Sequence, residues 1–503
     1  MVQALGKVIF FISILAASTL FARPISDSAN DNLSFSEFST LLDQIVATMQ
    51  KDGAKVGVAV SSIKTGEMLT ERGAGLALNP ASNVKIVSSV AALHILKPEF
   101  RFKTEYYATG PIRDGVLAGD LIVKGYGDPT VVNERLESVA HNLHFLGIQK
   151  ITGRIVYDDS YFDGDLKAKG FREERKSFKA YAAPVGALSL NHNTIAIYVR
   201  PTECGSPALV ATDPQTDYVD LKGSVKTTCK RNRFGIFDHE SNGRMAIFVS
   251  GQVKGNVPAQ RNIRSIYDPS RYFAATLAQD LRQAGIAVTG EISHGLVPRS
   301  AKLLEVDQSP PLSEVVNEMN KFSNNFMAEM LVKAVGAHLA LPGTFANGLV
   351  EIRKFLENRV GFQRGEYVLG NGSGLNEVNR FSAKQIVQLL TYAYKDFSIA
   401  SEFVSSLAIA GTQGTIRKRM RDAATYGLLR AKTGTEHGIS ALSGYVPTKD
   451  HDVLAFSILV DGHRAPLRSI LALEDRICGA LAKVRVAKAP GLAAVRLKTD
   501  SGS

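Results

Sequence analysis

The chain has no tryptophan and only three cysteines, Cys204, Cys229 and Cys478, among its 503 residues. So few thiols exclude a disulfide-stapled scaffold, and none has the paired spacing of a zinc or iron–sulfur site. Internal repeats and low-complexity tracts are also missing, which removes the solenoid and array architectures. Acidic residues are the minority charge: 48 Asp and Glu against 59 Lys and Arg leave a formal net charge of +11. That excess suits an anionic partner such as nucleic acid, an acidic membrane surface or an acidic polymer, without choosing among them. What is present is ordinary: 45% hydrophobic, 21% charged and 8% aromatic residues describe a folded globular chain rather than a disordered, collagenous or polytopic membrane one. The length allows two to four domains.

Residues 1–22 carry Lys7, an apolar run from Val8 to Leu20, and small residues at Ala16, Ala17, Ser18 and Ala22. This is the pattern of a secretory signal peptide, and the run is shorter than the roughly 20 residues a membrane anchor needs. Export is therefore expected. In an oxidising compartment Cys204 and Cys229 either close a loop of 229 − 204 = 25 residues or stay as thiols. The disulfide is the expectation carried forward; Cys478, inside an apolar helical pattern, reads as core.

Periodicity predicts a helix over 34–51, a strand at Val56, Val58 and Val60 that turns at Lys64-Thr65-Gly66, and a helix opened by Asn79-Pro80 and stopped by Pro98. From 100 to 300 the segments shorten and alternate, as at 102–108, 116–124 and 195–200, closing with a helix over 269–285. Helices then dominate through about 395, followed by strands over 439–447 and 452–461 and a last helix carrying Leu467, Ile470 and Ile477. A helix-plus-strand layout thus recurs at both ends around an unlike β-rich block, which a nested insertion explains. The predicted division is 31–100 with 301–484 as one discontinuous domain, 101–300 as an insertion that itself divides in two, and 485–503 as a loose basic tail.

Ser82-Asn83-Val84-Lys85 places a hydroxyl and an amine on one side of a helix at i, i+3. A serine beside a lysine of lowered pKa is a nucleophile with its base. The pair alone is a common chance match, but Ser323-Asn324-Asn325 opens a predicted helix and Lys432-Thr433-Gly434-Thr435 leads into the 439–447 strand. Three elements in the order S-x-x-K, S-x-N, K-T-G fit acyl transfer through a serine ester.

With those motifs, and with the stretches NPASNVKIVSSVAAL, VKGYGDPT, YAAPVGALSLNHN, SPPLSEVVNEMNKFSNNFMAEML, GNGSGLNEVNRFSAKQI and LRAKTGTEHGISALSGYV, the chain resembles the penicillin-binding-protein-4-type D-alanyl-D-alanine carboxypeptidase/endopeptidase family, the class C low-molecular-mass penicillin-binding proteins. The resemblance implies an α/β fold of β-lactamase/transpeptidase type, with helices on both faces of an antiparallel sheet and nested β-rich insertions. It implies Ser82 as nucleophile, Lys85 as general base, and Ser323 with Lys432 as the proton relay to the leaving amine. Asn325 would bond the substrate's peptide carbonyl, the backbone N–H groups of Ser82 and Thr435 would form the oxyanion hole, and Thr433, Gly434 and Thr435 would flank the substrate's terminal carboxylate. Peptidoglycan is the implied substrate, penicillins the covalent inhibitors, and the periplasm the compartment; no cofactor or metal is implied. Each lysine is expected to hold the other's pKa down. A β-lactamase and a silent wall-binding scaffold are the rivals, the first lacking a recognisable deacylating glutamate and the second expected to show decayed motifs.

Two departures stand out: Asn324 and Asn371 occupy positions where the family usually has Asp, removing negative charge near the cleft. Other features read as structural. Ser373 lacks the frame of a hydrolase elbow, Gly125-Tyr126-Gly127-Asp128 suits a turn, and His141 with His144 has no third ligand. The run Arg417-Lys418-Arg419 with Arg421 is expected as a solvated basic face, not a nucleic-acid site. Peripheral membrane association and oligomeric state stay open.

Overall fold

Along strand Lys55–Ser62, Val56, Val58 and Val60 alternate with Gly57, Ala59 and Ser61, and both sets are buried. A strand covered on both sides has no solvent face, and the reason lies in the sheet it joins. In the computed structural model, which describes residues 32–171 and 179–485, six strands line up in the order 408–409, 430–436, 439–447, 453–461, 55–62, 68–72. Every neighbouring pair is antiparallel. The predicted signal peptide and residues 486–503 of the predicted tail lie outside the described residues.

Helices Phe35–Gln50 and Leu467–Leu481 press Phe38, Leu42, Ile45, Ile470 and Ile477 onto Val58, Val60, Phe456 and Ile458 on one face. On the other, Ile386 of helix Ala383–Lys395 packs over Ala59, Ala441 and Ala455, with Tyr445 and Leu459 beside them, and Ile86, Val87 and Val90 of helix Val84–Leu96 join the same core from among the neighbouring helices. Each large side chain removed from water contributes on the order of 1.5–3 kcal/mol. The turn Ala81–Asn83 ahead of that helix lies directly on strands 430–436 and 439–447. Ser34 starts the first helix with a capping box, accepting from the Glu37 N–H at 3.2 Å while the Glu37 carboxylate accepts from the Ser34 N–H at 2.8 Å.

Between the two ends of this domain the described residues make four further sheets of three, three, four and five strands. Their shared core runs from Tyr106 and Val123 to Ile247 and Phe273. Strand Lys302–Gln308 pairs with Lys103–Ala108, so the five-stranded sheet draws chain from both sides of this region. A stretch including Phe162, Phe171, Ala182, Ala183 and Val185 leaves that core and packs with the helices around Ser82. Gly127 takes a left-handed φ of 78°, and the Asp128 carboxylate accepts from the Thr130 N–H at 2.8 Å, which makes the Gly125–Asp128 stretch a strand end and turn. His141 and His144 are exposed on helix Asn133–Phe145.

The basic run departs from expectation. Arg417, Lys418 and Arg421 are exposed, but Arg419 turns inward and pairs with Glu474 at 2.8 Å and Asp475 at 2.7 Å. The fully buried Glu474 needs a cation, and helix Leu467–Leu481 carries it directly beneath this loop.

Cys204 and Cys229 are joined as a disulfide with Cα atoms 5.5 Å apart, and Cys478 is a buried free thiol. Closing a loop of 25 residues stabilises by roughly 3 kcal/mol. Intact-mass analysis after alkylation should therefore find no label on native protein, one label in denaturant and three after reduction. Three labels in denaturant without reductant would show the bridge to be absent.

Candidate active site

The chain reaches the site through a strained turn. Asn79 accepts from the Ala81 N–H at 2.9 Å and its own N–H donates to Asp461 at 3.0 Å, tying the turn to the end of strand 453–461. Ala81 then adopts a left-handed φ of 44°, a conformation that costs a non-glycine residue about 1–3 kcal/mol. Ala81–Asn83 forms a 3₁₀ turn, and the α-helix begins only at Val84. Ser82 therefore sits two residues before the helix rather than on it. The i, i+3 pairing survives because Asn83 and Val84, the residues between, both keep right-handed helical backbone angles. Below it, the Asn83 amide donates to Ser443 Oγ at 2.7 Å, which donates to Ser457 Oγ at 2.8 Å, a buried polar ladder into the sheet.

Two glycines make room for the turn. A Cβ on Gly434 would lie 2.7 Å from the Pro80 carbonyl oxygen and 3.1 Å from the Ala81 Cβ. At Gly374, φ 84°, it would lie 1.9 Å from the Ala81 carbonyl oxygen. The K-T-G strand and the 370–374 loop thus clamp the serine turn from two sides, at distances only glycine permits.

Lys85 is fully buried. Its Nζ lies 3.0 Å from Ser82 Oγ, 2.7 Å from Asn325 Oδ1 and 2.6 Å from the Ser373 carbonyl oxygen. Burial lowers its pKa to about 7, while the carboxylates of Glu329 and Glu436 pull it back upward. A second lysine, Lys432, is also fully buried and donates to Ser323 Oγ at 2.8 Å and to the Thr433 carbonyl at 2.8 Å. Burial first, and the Lys85 charge second, hold its pKa well below the ordinary lysine range. The expected mutual lowering is thus visible at Lys432, whereas the charges that act most strongly on Lys85 are carboxylates.

The motif Ser323-Asn324-Asn325 opens helix Asn325–Leu339, as expected. Ser323 itself is a left-handed link, φ 58° and ψ 40°, between helices Leu312–Phe322 and Asn325–Leu339. The N-cap is Asn324, whose Oδ1 accepts from the Met327 N–H at 3.1 Å; Asn and Asp cap equally well, so this departure costs charge and not helix stability. Asn371 is buried and uses both ends of its amide: Oδ1 accepts from Gly374 N–H and Asn379 Nδ2, each at 2.9 Å, and Nδ2 donates to the Lys169 and Leu375 carbonyls, each at 2.9 Å. Aspartate could not make those two donations.

A cleft of 490 Å³ opens over these groups, lined by Ser82, Asn325, Tyr181, Thr435 and Glu436 among others. Thr435 is exposed in it, and Thr433 at the strand's edge donates to Thr415 Oγ1 at 2.8 Å. Asn325 Nδ2 donates to the Tyr181 carbonyl at 3.1 Å, so the stretch around 181 forms part of the wall. Ser82, Lys85 and Asn325 are brought into direct contact, and Lys432 with Ser323 forms a second pair. Unforeseen in the sequence are Glu329, Glu436, Tyr181 and the backbone carbonyl of Ser373. Glu329, fully buried, accepts from the N–H groups of Gly372 at 3.1 Å and Ser373 at 2.8 Å. One turn further along the same helix, the buried Lys333 pairs with Asp163 at 2.6 Å and donates to the Asp165 carbonyl at 2.7 Å.

The chain is similar to known proteins over most of its length. The D-Ala-D-Ala carboxypeptidase 3 (S13) family matches residues 39–476. The D-alanyl-D-alanine carboxypeptidase of Actinomadura sp. (strain R39) is 33% identical over 95% of this chain and 90% of its own. The D-alanyl-D-alanine carboxypeptidase DacB of Haemophilus influenzae is 25% identical over 82% of this chain and 86% of its own. Among solved structures, penicillin binding protein 4 from Haemophilus influenzae superposes with a TM-score of 0.75 at 24% identity, over 87% of this chain and 97% of that one, a likeness of fold. A match that spans both arms of the six-stranded sheet and everything between them makes the chain a member of the D-Ala-D-Ala carboxypeptidase 3 (S13) family.

Proposed function

We propose that the chain is an exported, periplasmic serine peptidase that cleaves the terminal D-Ala-D-Ala bond of peptidoglycan stem peptides, or the D-Ala cross-link between strands, through an acyl ester on Ser82. The observation that carries this reading is a fully buried lysine amine, its pKa lowered to about 7, 3.0 Å from the hydroxyl of Ser82. Ser82 Oγ attacks the carbonyl carbon as Lys85 Nζ takes its proton. The oxyanion rests on the N–H groups of Ser82 and Thr435. The C–N bond then breaks, and the departing D-Ala amine receives a proton through Ser323 and Lys432. Water hydrolyses the ester. Asn325 orients the peptide, while Thr433, Gly434 and Thr435 line the place of the terminal carboxylate. Among the described residues no helix is long and apolar enough to cross a membrane.

A reporter penicillin should label the peptide bearing Ser82, and Lys85→Ala should slow that acylation by about two to four orders of magnitude; an adduct on Ser323 or Ser373 would overturn the assignment. Because the base must be neutral, acylation should rise with pH through about 7 and level off above it.

Gly434→Ala would force the K-T-G strand off the serine turn. Acylation of that variant should fall by about a hundredfold, the scale of a 1 Å misplacement, in protein that remains folded by circular dichroism.

Amidation of a D-Ala-D-Ala peptide's terminal carboxylate removes a charge-assisted contact worth about 1.5–3 kcal/mol. Its kcat/KM should drop at least about tenfold, and by less in Thr435→Val, where part of the contact is already missing. Equal rates for acid and amide would refute the role given to this strand.

A further inference from the structure

A neutral lysine amine has two N–H donors and one lone pair. At Lys85, two acceptors other than the serine lie within reach, Asn325 Oδ1 at 2.7 Å and the Ser373 carbonyl at 2.6 Å. With both N–H bonds spent on them, the lone pair has one direction left, toward Ser82 Oγ at 3.0 Å. The Ser373 carbonyl therefore does part of the aiming. It belongs to a loop, 370–374, that carries no regular backbone ladder of its own.

What fixes that loop is Glu329. Its carboxylate receives the Gly372 N–H on both oxygens, at 3.1 Å each, and the Ser373 N–H at 2.8 Å. A charged group accepting backbone donors in a dry interior makes stronger bonds than a neutral acceptor would. The group is wholly enclosed, on helix Asn325–Leu339, one turn beyond the asparagine that supplies the other acceptor. Both acceptors of the Lys85 amine are thus set by a single helix, one directly and one through the loop.

We propose that Glu329 is a positioning residue for acyl transfer: its carboxylate locks the Gly372–Ser373 backbone so that the Ser373 carbonyl holds the Lys85 amine with its lone pair on Ser82. This rests on Lys85 being the base. The carboxylate also acts at a distance on the same amine, since its charge favours the protonated form. The other ionisable groups that act on this pair are Glu436 and Lys432, both on strand Arg430–Glu436; on Glu329 itself burial pushes the pKa up, while the backbone donors at 372 and 373 and the Lys85 charge pull it down.

The test is the pH profile of acylation by a reporter penicillin in the full chain, for wild type, Glu329→Gln and Glu329→Asp, each checked for folding by thermal denaturation. Gln keeps the shape and one acceptor oxygen but drops the charge. Its acid limb should move to lower pH by at least about 0.5 unit. Asp keeps the charge but withdraws it by one methylene. Its plateau should fall about ten- to a hundredfold while the limb stays near that of wild type. A purely structural glutamate would lower the melting temperature and leave limb and plateau where they were. A folded Gln variant with an unmoved limb, or a folded Asp variant with a wild-type plateau, overturns the proposal; if Gln fails to fold, Asp decides. A wild-type profile with no acid limb would instead refute Lys85 as base.

Discussion

The structure depends on keeping one amine neutral and aimed inside a dry interior. Removing a lysine from water is costly, and burial, opposed by the carboxylates of Glu329 and Glu436, brings Lys85 to about 7. Neutrality is only half of the requirement, because a neutral amine turns freely unless its donors are spent. The protein supplies two acceptors from different parts of the chain, one side-chain oxygen at Asn325 and one backbone oxygen at Ser373. The strained turn at Ala81, the glycines at 374 and 434, and the Asn83–Ser443–Ser457 ladder all serve to hold Ser82 where the third direction points.

Lys432 stands in a different situation. It too is buried, but its partners are the Ser323 hydroxyl and the carbonyl of its own neighbour. With a like charge nearby and no carboxylate among its chief influences, it is held well below the ordinary lysine range. Two lysines in one cleft are thus placed under different influences, carboxylates acting on Lys85 and a cation on Lys432, which suits the separate roles proposed for them in accepting and delivering a proton.

Ser82 and Lys85 were legible because their geometry is local: three residues apart, any helical turn brings them together. Lys432 and Thr435 were legible by order and by the strand they announce. The motif Ser323-Asn324-Asn325 was legible as the opening of a helix, which begins at Asn325; that Ser323 itself is a left-handed link to the preceding helix leaves no mark in hydrophobic spacing. Glu329 went unseen for a different reason. Inside FMAEMLVKAV it is, with Lys333, one of two charges on an otherwise apolar stretch, and its partners are main-chain N–H groups 43 and 44 residues away. The Ser373 carbonyl has no letter at all, because every residue has one. An antiparallel sheet with helices on both faces was expected from the family resemblance, whereas Tyr181 entered the cleft wall only because the stretch containing Phe162, Phe171 and Val185 packs with the helices around the serine.

Helix Asn325–Leu339 carries three polar residues on one stripe, Asn325, Glu329 and Lys333, each one turn from the next. The first grips the base, the second grips the loop behind it, and the third, enclosed by the rings of Phe162 and Phe345, grips the chain at Asp163 and Asp165. An α-helix does not stretch or twist easily, so the stripe behaves as a rail: the stretch at 163–165, the 370–374 loop and the Lys85 amine are fastened to successive turns of one rigid element, and the spacing between them is the spacing of those turns.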